Sequence, residues 1–127
     1  MNLLEECARH LSVLGFGETA DAETDGCVFY GRMPEKDGLT ICVMASDAGT
    51  PGSRGARVEI MVRAESDREA FETCDRIARE TDGFEGYLMG WGDRASIRVL
   101  NGAHGLGADA RRRALYACSL QVRYCAG

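Results

Sequence analysis

The chain has 127 residues, 45% of them hydrophobic and 28% charged, with a formal charge of −5. Such a length makes one domain that buries roughly two-thirds of its unfolded surface in a single core, and no apolar run approaches the ~20 residues of a membrane-spanning helix. The acidic balance argues against whole-surface attraction to nucleic acid or anionic membrane, leaving room only for a local basic patch.

The opening, MNLLEECARHLSVLG, carries Glu5 and Glu6 where a signal peptide is cationic or apolar, which speaks against secretion by that route. Leu3, Leu4, Cys7, Ala8, Leu11 and Leu14 recur at helical spacing, with Glu5, Glu6, Arg9 and Ser12 between them, and Gly15 and Gly17 end the pattern. An amphipathic first helix is expected. Residues 18–26, ETADAETDG, read as a solvated acidic loop; Glu18, Asp21, Glu23 and Asp25 do not have EF-hand spacing, so no metal is assigned. Residues 27–32 and 39–45 are short runs with strand composition, and Pro34 and Asp37-Gly38 between them are turn chemistry. A hairpin is expected there, followed by a flexible Gly-, Pro- and Ser-rich loop at 46–55 that contains Arg54.

The strongest signal lies between residues 56 and 83. Val58, Ile60 and Val62 alternate with Arg57, Glu59, Met61 and Arg63, the period of a half-buried strand. Ser66 stands three residues before Glu69 as a capping box. Phe71, Cys74, Ile77 and Ala78 then form a helical stripe, opposite charges sit one turn apart on the wet side, and Gly83 fits the C′ position. Residues 87–91 and 95–100 flank Gly92-Asp93 as a short hairpin. Residues 101–113, NGAHGLGADARRR, read as a glycine-rich loop with Leu106 as its one large apolar residue. The last element alternates from Leu115 to Cys125, with Tyr116, Cys118, Leu120, Val122 and Tyr124 on one face. Together these elements predict one α+β domain spanning 1–127, with a two-layer, mostly antiparallel sheet of about four to six strands and two helices packed against it.

Chemistry is thinly represented. Cys7, Cys27, Cys42, Cys74, Cys118 and Cys125 contain no C-x-x-C pair, and buried, reduced, unligated thiols are expected. His10 lies in the first helix and His104 in a glycine loop, with no nucleophile placed beside either. SDAGTPG at 46–52 resembles a glycine-rich stretch of S-adenosylmethionine-dependent ribosomal RNA methyltransferases, but the other motifs that would close the cofactor pocket are missing. Gly102, Gly105 and Gly107 do not make a dinucleotide fingerprint. No catalytic residue and no cofactor are therefore assigned. Arg111, Arg112 and Arg113 are a charge run suited to a solvated face or a partner contact, and Trp91 is a candidate for either core or interface anchor.

The order of these pieces resembles the tail terminator or tail-completion proteins of tailed bacteriophages, often labelled minor capsid proteins. The likeness covers nearly the whole chain. It rests on the leading helix that ends in Gly, on the strand, Pro-containing turn and strand at 28–43, on VEIMVRA followed by ESDREAFETCDRIARE, and on Leu106-Gly107-Ala108-Asp109-Ala110-Arg111-Arg112 before the last strand. Proline often precedes the Leu-Gly step in that family, whereas this chain has Gly102-Ala103-His104-Gly105. The resemblance implies a structural virion protein without an active site. It would form a ring, a hexamer by family likeness, at the head-proximal end of the tail, end tube polymerisation and join the head connector. Its partners would be itself, the tail tube protein and the connector, with DNA only as passing cargo and no membrane. Assembly in the host cytoplasm would place it in the neck region of the virion.

For such a subunit the contact residues expected are Arg111, Arg112, Arg113, Asp109, Leu106, Trp91, Arg54, Asp21 and Glu23, with the acidic 18–25 loop meeting the basic loop of the next copy. A rival reading of another class is a small ligand-binding or regulatory module acting as a homo-oligomer, which a stabilising ligand would reveal.

Overall fold

The structure, a computed structural model, describes residues 3–20, 26–47, 55–87 and 94–125. In chain order the elements are α1 (Leu3–Val13), β1 (Val28–Tyr30), β2 (Thr40–Asp47), β3 (Gly55–Ala64), α2 (Asp67–Thr81), β4 (Glu85–Tyr87), β5 (Arg94–Ala108) and β6 (Ala114–Cys125). The six strands form one sheet in the order β1-β2-β3-β6-β5-β4. The α+β expectation holds, but the sheet is mixed, because β1 lies parallel to β2 while the other ladders are antiparallel.

The pattern at 56–83 folds as the sequence dictates. Val58, Ile60 and Val62 are fully buried on one face of β3. Ser66 then leaves the strand in extended backbone and its Oγ accepts the Glu69 N–H at 3.1 Å, an N-cap of the kind that stabilises a helix by ~1 kcal/mol. Arg68–Glu72, Arg76–Glu80 and Arg79–Asp75 pair along the exposed side of α2 at 3.0 to 3.1 Å, each adding a few tenths of a kcal/mol. Gly83 follows at φ +82°, a left-handed residue suited to leaving the helix. One position departs from the expected stripe: Phe71 is 42% exposed, and Ala70, Cys74, Ile77, Ala78 and Thr81 make the buried face.

Both helices pack on the same side of the sheet. Cys7, Ala8 and Leu11 of α1 and Cys74 and Ile77 of α2 share one core with Ile41, Val43, Ile60, Cys118, Leu120 and Val122, each large side chain contributing roughly 1.5–3 kcal/mol through burial. On the reverse side, Ala20, Phe29 and Cys42 make a smaller cluster with Met33 and Met44. Glu6, expected on the wet side of α1, is instead buried, as is His10, whose ring lies 4.4 Å from that of Phe84.

Two further expectations are corrected. Residues 27–45 do not form a hairpin: Val28 pairs in parallel with Ile41 and Tyr30 with Val43, so residues 31–39 cross back over the end of the sheet. That crossing is held by buried Arg63, whose Nη2 donates to the carbonyls of Pro34 at 2.7 Å and Lys36 at 2.8 Å. Residues 101–113 are not a loop. β5 runs on to Ala108, paired to β6 through register shifts around Leu100, residues 102–103 and Leu106, and only residues 109–113 make the turn. The expected 46–55 loop is shortened at both ends by β2 and β3, and residues 48–54 lie outside the described residues.

Candidate assembly interface

The two edges of the sheet are finished differently. A strand edge presents unpaired N–H and C=O groups that another chain can extend, and most proteins cover it. At the β1 edge Thr19 bridges Val28 in parallel, Ala20 N donates to Val28 O at 2.9 Å, and Val28 N donates to Glu18 O at 3.1 Å. The β5 edge is covered only over its first part. β4 pairs with residues 94–96, Ile97 exchanges hydrogen bonds with Gly83 and Phe84, and Val99 N donates to Asp82 Oδ1 at 2.9 Å. From Leu100 to Ala108 no further strand among the described residues lies against β5, and all of these residues are exposed except half-buried Ala103.

This bare edge is rigidly mounted. Asp109 opens the turn and its Oδ1 accepts the backbone N–H groups of Arg111 at 2.9 Å and Arg113 at 2.8 Å, while Oδ2 accepts Arg113 Nε at 2.8 Å. Burial alone would raise the Asp109 pKa, but these bonds from Arg113 and Arg111 hold it below the usual carboxylate value. Arg113 is buried, and its remaining nitrogens donate to Lys36 O at 2.8 Å and Glu35 Oε2 at 3.1 Å. Burial works against its charge, yet the bonds to Glu35 and Asp109 raise its pKa above the ordinary guanidinium value. The hairpin tip is thereby tied to the 31–39 crossing, which Arg63 holds from the other side. Burial lowers the Arg63 pKa, and Arg113 adds to that effect.

The sequence-derived contact residues separate in this frame. Asp109, Arg111, Arg112, Arg113 and Leu106 do come together at the hairpin end. Arg113 and Asp109 act as fasteners within the subunit, where their polar atoms are used. Arg111 is partly used at home, 3.4 Å from Asp37 and 4.0 Å from Glu35. Arg112 and Leu106 are exposed and available, Arg112 at φ +65° and Leu106 45% accessible. Trp91, Arg54, Asp21 and Glu23 lie outside the described residues.

Sequence reading missed the apolar company of this edge. Phe71 packs edge-on to Tyr116 with ring centroids 5.6 Å apart, and Tyr116 Oη donates to Asp67 Oδ1 at 2.9 Å. That bond, with burial, raises the Tyr116 pKa. A shallow groove of about 570 Å³ between Glu65, Asp67, Gly105, Arg112 and Tyr116 runs beside them. Leu100, 40% exposed, lies at the other end of the bare stretch. The helical period of Phe71 gave no warning, since the residue stands at a boundary angle of the stripe.

The thiols are placed as ordinary packing groups. Cys7, Cys42, Cys74 and Cys118 are buried and Cys27 is half-buried. Desolvation pushes Cys7 up to about 12 and Cys42 up to about 11, so neither is a thiolate nucleophile at neutral pH. Cys74 is raised by its hydrogen bond with Cys118 and by burial.

Comparison with protein-family models gives no match, and comparison with curated proteins gives none either.

Proposed function

We propose that this protein is a structural subunit that assembles head to tail into a closed ring, six copies by the resemblance described above, at the head-proximal end of a phage tail. There it ends tube growth, offers its outer surface to the connector and lets DNA pass as cargo. The observation that carries the reading is the outer half of β5. Its residues bury almost nothing within the subunit, yet the turn that supports them is fixed by a buried arginine. An isolated subunit gains little from nine ordered strand residues of which eight are exposed, because each costs roughly 1–2 kcal/mol in backbone entropy. A neighbour that pairs with the free edge and covers Leu100, Leu106 and Phe71 supplies the missing return. The resemblance implies a head-to-tail contact with a different patch of the next copy, and a heterologous contact of that kind closes into a ring when the rotation permits.

The reading is tested by mixing the protein with purified, unterminated tail tubes and imaging them by electron microscopy. Rings seated on one end of each tube, with tube length fixed once they are added, are expected. Tubes that stay bare and keep growing would refute the assignment.

A further inference from the structure

We infer that the open face of the sheet, away from both helices, is a docking surface for the phosphodiester backbone of single-stranded nucleic acid. It is carried by Arg57, Arg94, Arg98 and Arg123, with Tyr87 as a stacking platform. The register places these side chains together. Val58 pairs with Leu120, and Leu120 with Val99, in a row that faces the helices. The neighbouring row, Arg57–Gln121–Arg98, must therefore face the other way. Two residues further along the strands, Arg123 stands opposite Ser96, which in turn pairs with Glu85. Next to that row Arg94 stands directly opposite Tyr87. Strands about 4.8 Å apart and a rise of about 3.3 Å per residue confine the four guanidinium stems to a patch of roughly 10 by 13 Å.

Among the described residues, arginines without an ion pair occur singly at Arg9, Arg32 and Arg112, and only on this face do several gather. Arg68, Arg76, Arg79, Arg111 and Arg113 are all ion-paired, and Arg63 is spent on carbonyls. The four on the open face are exposed and enter none of the ion pairs among the described residues. The described acids on these rows and the adjoining one are Asp47, which pairs with Arg57 at the end of β2, Glu59 and Glu85, so the arginine-rich part of the face is the β6–β5–β4 side that carries Arg94, Arg98 and Arg123. A chain with a net charge of −5 thus carries a locally basic surface that the average conceals.

The neighbours of the arginines decide the kind of partner. Gln121 and Ser96 are neutral hydrogen-bonding groups, and a shallow groove of about 430 Å³ runs along Ser96, Arg98, Gln121 and Arg123. Phe84, Ile97 and Leu100 also line the groove, but Ile97 is buried and Phe84 half-buried against the core, and only Leu100 is exposed, so the patch lacks the broad apolar centre of a stable protein interface. Guanidinium forks match phosphate oxygens in pairs. Tyr87, 64% exposed beside Arg94, offers a ring on which an unpaired base can stack, the combination used by surfaces that bind single strands without sequence preference. This inference is independent of the ring reading, since a single subunit carries the whole face.

The test is fluorescence anisotropy of a labelled 20-nucleotide oligothymidylate titrated with the full chain over a series of salt concentrations. Four phosphate contacts predict a slope of log affinity against log salt of about −2.8, falling to about −1.4 in the double variant R98S/R123S. Tyr87→Ala should weaken binding about tenfold with the slope unchanged. Arg112→Ser, which removes an exposed arginine off this face, should change nothing. Melting temperatures of the variants matching the parent protein establish that they fold. Absence of binding at 50 mM salt, a slope unaltered in R98S/R123S, tighter binding of a 20-base-pair duplex, or equal competition by polyglutamate would each overturn the proposal. The last result would identify an acidic protein surface as the partner.

Discussion

The β3–α2 unit and the distal half of the β5–β6 hairpin are both ordered, but they are ordered by opposite means. In β3–α2 the apolar period, the Ser66 cap and the burial of Ile60, Val62, Cys74 and Ile77 all act within one short stretch of chain. In the distal hairpin the apolar period is absent, the outer strand is exposed, and order comes from Arg113 reaching across 77 residues of sequence to Lys36 O. The first kind of order stabilises the subunit. The second holds exposed strand residues in place, as the proposed contact requires.

That contrast is broken most severely at the core. Ile77→Ala should destabilise the protein by about 3 kcal/mol through lost burial and a residual cavity, while Leu106→Ala should stay within about 0.5 kcal/mol. Urea denaturation of the two variants makes the comparison, and equal losses would mean that the hairpin belongs to the core. Next in size is the fastener. Arg113→Ala leaves Asp109 without its guanidinium and frees the 31–39 crossing, and a fall in melting temperature on the order of 10 °C is expected. Its neighbour should behave in the opposite sense. Arg112 holds φ +65° without glycine's freedom, so Arg112→Gly should stabilise the monomer by about 0.5–1 kcal/mol. Of similar size, Ser66→Ala should cost ~1 kcal/mol at the start of α2 and leave assembly unchanged.

The smallest expected effect concerns α1, where neither carboxylate oxygen of Glu6 nor Nε2 of His10 has a hydrogen-bond partner among the described residues. Burial lowers the His10 pKa from 6.5, so the unfolded chain takes up a proton that the folded one resists, and stability is lost as pH falls below 6.5. Burial raises the Glu6 pKa from 4.5, so its contribution has the other sign, with stability lost as pH rises above 4.5. Thermal melts between pH 4 and 8 should show a shallower acid loss for His10→Gln, and a gain for Glu6→Gln at pH 7 that disappears near pH 4.

How far the sequence was legible follows the same division. The strand at 55–64, the helix at 67–81 and the final strand could be read because each carries its own period and, for the helix, its own cap. The β1–β2 pair was misread because Pro34 and Asp37-Gly38 suit a crossing as well as a hairpin; Arg63 and Arg113, remote in sequence, hold that loop. The outer half of β5 was misread as a loop because Gly102, Gly105 and Gly107 and its two-sided exposure erase the alternation by which a strand is recognised. The arginine triplet could be read as one charged stretch, but a run of three like charges does not reveal that the third is buried. The open-face arginines were invisible for a related reason: Arg57, Arg94, Arg98 and Arg123 are far apart in sequence, and only the strand register gathers them.

The free β5 edge as the contact that builds a ring is tested most directly by native mass spectrometry of the parent protein and Leu106→Lys over a range of concentrations. A lysine on an edge strand discourages pairing without disturbing the core behind it. The account predicts a closed oligomer for the parent, six copies by family likeness, and a folded monomer for Leu106→Lys. A parent protein that remains monomeric at every concentration, or a variant that forms the same ring with the same affinity, would contradict it.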